Sequence, residues 1–408
     1  MSAGETKLTM RGHEKEGWMR PSDRVHRGAF LYVTIALAAV GPIGNASSAD
    51  YAVLYNFAGG TRDGAHPAGE LLLRDGSLYG TTEYGWSDGL LGPGVVFRLT
   101  LDGAETVLHP FDYSHGNDPQ AGLIANHATG EFIGSTAAGG AHQGGVLFTL
   151  DADGTETVLH DFNRVSDGNF PRGRLVPDKH GNFYGIASSL GGDNDGTVYR
   201  LAANGSFTIL HIFVGSDGED PAARLKRDKA GNLYGTTLFG GANNAGTVFK
   251  LTPAGTFTTL HTFSGGSDGG RPAGGLERDK AGNLYGTTLL GGAANRGVVF
   301  KLATDGTETV LHDFGGGSDG AYPEADLMRI GDTLYGTTGS GGGTCDCGTV
   351  FKMSVNGTET ILHRFKGSPG DGANPYTGLT DGRNGMLYGT TSNGGAAGDG
   401  VVFRVTNN

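Results

Sequence analysis

Residues 267–314 read SDGGRPAGGLERDKAGNLYGTTLLGGAANRGVVFKLATDGTETVLHDF. Four short stretches here predict strands: Ala273–Arg278, Asn283–Thr288, Val298–Leu302 and Glu308–Phe314. In Val298–Leu302, Val299 and Lys301 share one face, and Val298, Phe300 and Leu302 share the other. Period-two alternation of β-branched and aromatic residues belongs to a strand. Asp-Lys-Ala-Gly-Asn and Thr-Asp-Gly-Thr between the stretches read as tight turns, with Gly where positive φ is needed.

The same unit repeats along the whole chain after residue 50. The Phe that ends each copy is Phe57, Phe111, Phe162, Phe213, Phe263, Phe314 and Phe365, in steps of 50 to 54 residues. No linker interrupts the series. Four-stranded units at this period predict an all-β fold, a seven-bladed β-propeller of four-stranded antiparallel blades. A solenoid is the alternative, but strands joined by hairpins do not stack as coils. One blade is split between the chain ends. Tyr51–Phe57 matches only a last strand, whereas Asn374–Thr380 and Asn384–Val405 supply the first three of copy seven. Tyr51–Phe57 is therefore expected beside Val401–Val405, closing the last blade and removing an open edge.

The pattern GGxNNxGTVFKLTPxGTxTxLHxFxGGxDGxxPxxxLxxDxxGNLYGTT, almost intact in residues 240–288, resembles the GloVer (Gloeo/Verruco) tandem-repeat family. All seven copies, residues 51–405, share it. The resemblance implies an exported repeat protein and no assigned reaction. The order of motifs also resembles NHL-type propeller repeats, which implies that the strand after the Pro is innermost and the last strand outermost. Some copies depart from the pattern. Copy two has Phe132-Ile-Gly-Ser-Thr136 for LYGTT, copy three has Tyr184-Gly-Ile-Ala-Ser188, and copy one carries the longer loop Glu83–Gly94.

Composition agrees with a turn-rich sheet protein. Gly contributes 77 of 408 residues and Pro 14, while Phe and Tyr supply 34 core-filling rings. The first 49 residues differ from the rest. Arg20, Arg24 and Arg27 precede an apolar run from Gly28 to Gly44, then Asn45-Ala-Ser-Ser-Ala49. That order predicts a signal peptide ending at Ala49, with Met19 as the start and the preceding residues dispensable. The expected product is a single domain of residues 50–408, secreted or periplasmic, with no membrane span and a monomeric state. The net charge is −12 and becomes more negative without residues 1–49, which carry six Lys/Arg and four Asp/Glu. An acidic surface disfavours nucleic acid and anionic membranes as partners, and favours a basic or neutral polar ligand such as a glycan or peptide. The two cysteines, Cys345 and Cys347, lie in one loop and are expected to form a local disulfide if exported.

Strand direction reverses at each turn, so the long SDGxxP crossovers and GGxxNxG loops fall at one end of the ring. That end is the expected working face. Its Asp residues, among them Asp63, Asp167, Asp217, Asp268, Asp319, Asp371, Asp193 and Asp195, fit either Asx-type turns or calcium ligands. A feature needed by every blade points to architecture. His109, His160, His211, His261, His312 and His363 share one outer-strand register and diverge around a ring, so they read as packing residues rather than a metal cluster. Tyr79, Tyr184, Tyr234, Tyr285, Tyr335 and Tyr388 read as inter-blade core. Trp86 and Tyr84 lie in the long loop of copy one, where exposed rings could stack on a ligand or fold back on the loop.

Innermost strands converge on the axis. There the residue after the crossover Pro varies: Ala68, Gln120, Arg172, Ala222, Ala273, Glu324 and Tyr376. Two positions on stand Glu70, Gly122, Arg174, Arg224, Gly275, Asp326 and Gly378, while the next residue is always Leu. The basic set, Arg172, Arg174 and Arg224, faces the acidic set, Glu324, Asp326 and Glu70, as a polarised channel in which Arg could clamp a carboxylate. Solvated charges and ion pairs between blades are the plainer reading. No metalloprotease helix, phosphate loop or Ser elbow appears. The expected function is a non-catalytic binding or surface-interaction module. A propeller lyase or hydrolase at the channel mouth is the alternative.

Overall fold

The computed structural model describes residues 50–60, 62–85, 92–126, 129–189 and 195–408. The expected signal segment and Trp86 lie outside the described residues.

Blade five shows how the repeat folds. Its strands are Glu277–Arg278, Leu284–Thr288, Val298–Leu302 and Glu308–Asp313, paired in that order and all antiparallel. The other six blades repeat this arrangement. The innermost strand is shorter than Ala273–Arg278 for a physical reason: near the axis its backbone bonds to the neighbouring blade. Thr81 Oγ1 donates to the Ala121 carbonyl, Ser135 Oγ to that of Pro171, Ser188 Oγ to that of Pro221 and Thr337 Oγ1 to that of Pro375. In these four blades a hydroxyl at or just after the second strand thus ties two blades together.

The core lies between blades. The terminal Phe of one blade meets the third-strand ring of the next edge-on: Phe111 on Phe148, Phe213 on Phe249 and Phe263 on Phe300, each at 5.2 Å. Each third-strand ring lies over the Gly of its own second strand; a Cβ on Gly286 would come within 2.6 Å of Phe300 Cζ. That close approach explains a Gly in the middle of a buried strand. Tyr234, Tyr285, Tyr335 and Tyr388 are buried in these interfaces, and Tyr79 and Tyr184 partly so. The Tyr184, Tyr234 and Tyr285 hydroxyls donate to Asp178, Asp228 and Asp279 in the turns of their own blades.

The chain ends share blade seven. Tyr51–Asn56 pairs with Val401–Thr406, from Tyr51 opposite Val405 to Asn56 opposite Val401. This pairing carries a bulge between Val53 and Tyr55, as the outer pair of blade five does between Val299 and Phe300. Phe57 then reaches Phe97 of blade one at 5.1 Å, so the last interface repeats the other six.

The outer-strand histidines are pairing residues. His160, His211 and His363 meet Asp167, Asp217 and Asp371 of their own crossovers at 3.0 to 3.1 Å through Nε2. In blade seven Tyr55 takes the place of His and donates to Asp63 at 3.1 Å. Copy two has no Asp-Gly in its crossover, and His109 turns instead to Glu156 at 3.0 Å. The crossover Asp also accepts backbone N–H groups, as Asp63 does from Ala58 and Gly64. Its recurrence is therefore architectural.

Deleting residues 50–57 should abolish cooperative unfolding and lead to aggregation, because blade seven loses its outer strand and leaves an edge open. Denaturant unfolding followed by circular dichroism, with light scattering, checks this. A deletion variant that unfolds like the parent would contradict the closure.

Candidate functional site

The inner strands start at the long-loop face and run toward the short-turn face, which stacks their variable residues in layers along the axis. At the long-loop end Ala68, Gln120, Arg172, Ala222, Ala273, Glu324 and Tyr376 line one cavity of about 360 Å³, with Glu83, Leu238 and Ser392 at its rim. Glu70, Arg174, Arg224 and Asp326 line it too. The expected ligand residues Glu70, Gln120, Arg172, Arg174, Arg224, Glu324, Asp326 and Tyr376 thus line one cavity.

The second layer does not stand free as a clamp. Arg174 Nη1 pairs with Glu70 at 2.9 Å, and Arg224 pairs with Asp326 at 3.0 Å, Glu277 at 3.3 Å and Glu70 at 3.9 Å. Lys226 adds a 2.6 Å contact to Glu277. Blades one, three, four, five and six therefore meet in one ion network across the channel. Gly122, Gly275 and Gly378 leave room for it, and Asp326 also accepts the Gly275 N–H at 2.5 Å. Burial pushes the Glu70 carboxyl up, but Arg174 and Arg224 outweigh it and hold the pKa below the ordinary value. For Asp326 burial prevails over Arg224 and raises it. Desolvation disfavours the Arg224 cation, yet Glu70, Asp326 and Glu277 together raise its pKa. The expected polarised channel is thus corrected: Arg174 and Arg224 neutralise Glu70 and Asp326 and form the floor of a cup.

Above that floor two charges stand apart. Glu324 makes no ion pair or hydrogen bond among the described residues, and burial alone pushes its carboxyl up to about 7. Arg172 lies over the Phe170 ring at 5.2 Å, and its charge partly offsets the burial that raises Asp220. Gln120 donates to Asp118 at 3.1 Å. Tyr376 is 42% exposed. The cup accordingly offers a guanidinium, a carboxyl pushed up to about 7 and a phenol, with small Ala walls on blades one, four and five.

A ring of strained backbone surrounds this site, and sequence reading missed it. The residue before each crossover Pro lies in the left-handed region: His66, Asp118, Phe170, Asp220, Arg271, Tyr322 and Asn374, with φ between 54° and 60°. Bulky residues rarely adopt this conformation, least of all before Pro. Two backbone bonds impose it; Arg271 N–H donates to the Ala245 carbonyl of the preceding blade, and its own carbonyl accepts Leu289 N–H. The signal lay in the sequence as a variable residue ahead of an invariant Pro.

Cys345 and Cys347 are joined in a disulfide in the long loop of blade six. On the outer rim, away from the cup, His312, Asp319 and Glu359 bring three ligand atoms within 4.8 Å of one another.

The fold and its axial cup define a β-propeller with a blind pocket at the long-loop face. A family model matches residues 43–229 and 223–408, and the chain belongs to the Gloeobacter/Verrucomicrobia repeat family. No curated protein matches it in sequence. Among solved structures it is similar to the extracellular domain of a putative one-component system from B. thetaiotaomicron, with 13% identity and a TM-score of 0.51 over 84% of this chain and 40% of that one. It is also similar to PorZ, a surface component of the type-IX secretion system of Porphyromonas gingivalis, with 16% identity and a TM-score of 0.51 over 84% of this chain and 46% of that one. A putative 6-phosphogluconolactonase from Bacteroides uniformis gives 17% identity and a TM-score of 0.48, over 73% and 84%. At these identities the likeness is one of fold.

Arg224→Ala should destabilise the protein by about 3 kcal/mol, because Glu70, Asp326 and Glu277 are left buried without their shared partner. Replacing Arg224, Glu70 and Asp326 together by Met, Gln and Asn should recover much of that loss. Urea midpoints of the two variants check the order.

Proposed function

We propose that this protein is an exported binding module whose cup takes a small carboxylate-bearing polar ligand, of sugar-acid or amino-acid size. The observation that carries the reading is the pair left over when the floor is neutralised. Arg172 makes no ion pair among the described residues, its charge acting only at longer range on the buried Asp220, and burial pushes the Glu324 carboxyl up to about 7. A guanidinium suits a ligand carboxylate in bidentate fashion, and a protonated carboxyl can donate to a hydroxyl or carbonyl. The volume of about 360 Å³ is at the small end of ligand pockets, which run from roughly 300 to 1,000 Å³. The basic, apolar and small-residue order of residues 20–49 supports export. The strained, chemically varied ring around the mouth supports contact with a larger glycan or peptide carrying such an end.

A second reading, a lyase or hydrolase, has one observation in its favour: a carboxyl near neutrality beside a cation suits general acid–base work. Turnover of a bound ligand that stops in Glu324→Gln would favour it.

Calorimetric titration of uronic acids, hydroxy acids and amino acids tests the binding reading. Arg172→Ala should weaken the best ligand about tenfold or more, the loss of one charge-assisted contact. Affinity should fall as pH rises through 7, because ionised Glu324 then repels the ligand carboxylate, and Glu324→Gln should flatten that dependence. No binding by any member of the panel, or indifference to Arg172→Ala, would overturn the reading.

A further inference from the structure

The short-turn face carries a second feature that repeats do not require. The residue two after the invariant inner-strand Leu is Arg227, Arg278 and Arg329 in blades four, five and six, but Leu73, Ala125, Pro177 and Asp381 in the others. The following turns of blades four and five add Lys229 and Lys280. With Lys226 these cations line one cavity of about 570 Å³, open toward solvent at the end of the ring opposite the cup.

The cations are not all spent on neighbours. Lys226 is committed to Glu277, and Arg329 pairs with the exposed Asp332 at 2.9 Å, a contact of little strength. Arg227 and Arg278 make no ion pair among the described residues. They lie over Tyr184 and Tyr234 of the preceding blades at 5.7 and 5.6 Å. The Nε of each is buried without a hydrogen-bond partner. The two carboxylates in the cavity face inward: Asp228 accepts from Ala230, Asn232 and Tyr234, and Asp279 from Gly282, Asn283 and Tyr285. Lys229 and Lys280 are exposed. On a chain of net charge −12, this arc concentrates positive charge against the overall sign.

We propose that the short-turn face of blades four to six is a docking groove for an acidic polysaccharide. Charge complementarity selects an anionic partner, and planar guanidinium groups suit its carboxylates. The arc spans three blades with short turns and no lid, so it suits an extended chain rather than an enclosed small molecule. Nucleic acid fits less well. Its dense phosphate charge meets an acidic surface beyond the arc, and Tyr184 and Tyr234 lie under the arginines rather than offering a face to bases. The groove is separate from the cup and does not depend on the function proposed for it.

Calorimetric titration of the full-length protein with polygalacturonate tests this, in about 50 mM and about 300 mM salt, where exposed charges are screened to different degrees. Binding is expected at the lower salt and should weaken at least about tenfold at the higher. The Lys229→Ala/Lys280→Ala double variant should lose about tenfold in affinity with an unchanged melting temperature, since both side chains are exposed. Arg172→Ala should bind the polymer as the parent does. The proposal is overturned by no binding at the lower salt, or by an unchanged affinity in the double variant. It is equally overturned if Arg172→Ala abolishes binding, which would seat the polymer's end in the cup. Displacement by duplex DNA at equal charge concentration would also overturn it.

Discussion

Seven edge-to-face contacts between aromatic rings, one at each blade interface, hold the ring together. Their centroids are 5.1 to 5.5 Å apart, from Phe57–Phe97 round to Phe365–Phe403. Each contact needs a Gly beneath the receiving ring and a fully buried Phe from the neighbour. A blade supplies the Gly itself but not the incoming Phe, which belongs to its neighbour. Stability therefore belongs to the closed ring, and the N-terminal strand is as necessary as any other although it is far from its partners in sequence. Hydrogen bonds offset the cost of burying most threonines in these interfaces, Thr287 excepted. Thr288 Oγ1, for example, donates to the Leu290 carbonyl and accepts Val298 N–H.

That constraint decides where the sequence is free to vary. Positions that touch the next blade repeat, whereas axial positions touch their counterparts across the channel and need only be mutually compatible. Arg174, Arg224, Glu70 and Asp326 meet that condition by neutralising one another. Arg172 and Glu324, one layer higher, do not, and the cup owes its chemistry to the difference. At the other end of the ring the same freedom permits arginines in three consecutive blades, of which Arg227 and Arg278 lie over tyrosines.

Much of this architecture was legible in the residues. The blade count, the strand order, the sharing of blade seven and the convergence of the axial residues all follow from a period of about 51 residues and from period-two alternation. What was not legible depends on distance rather than pattern. Sequence places Arg174 and Glu70 in one layer but not 2.9 Å apart, so an ion pair and a free clamp read alike. The left-handed residue before each Pro escaped because local preference argues against it; one of the two bonds that impose it comes from the preceding blade. The shortening of the innermost strand has the same origin, since its backbone partners lie in the adjacent sheet. The pairing of outer His residues such as His160, His211 and His363 with their own crossover Asp was hidden by a separation of six to eight positions, although both recur in step.

The central claim is that the channel is closed by the Arg174–Glu70–Arg224–Asp326 network and is a cup open only at the long-loop face. A crystal structure of the protein soaked with a uronic acid tests it most directly. The account predicts an unbroken network at mid-channel, with ligand density above it against Arg172 and Glu324. A channel open from end to end, with Arg174 and Arg224 turned between the blades, or a ligand seated below the network, would contradict it.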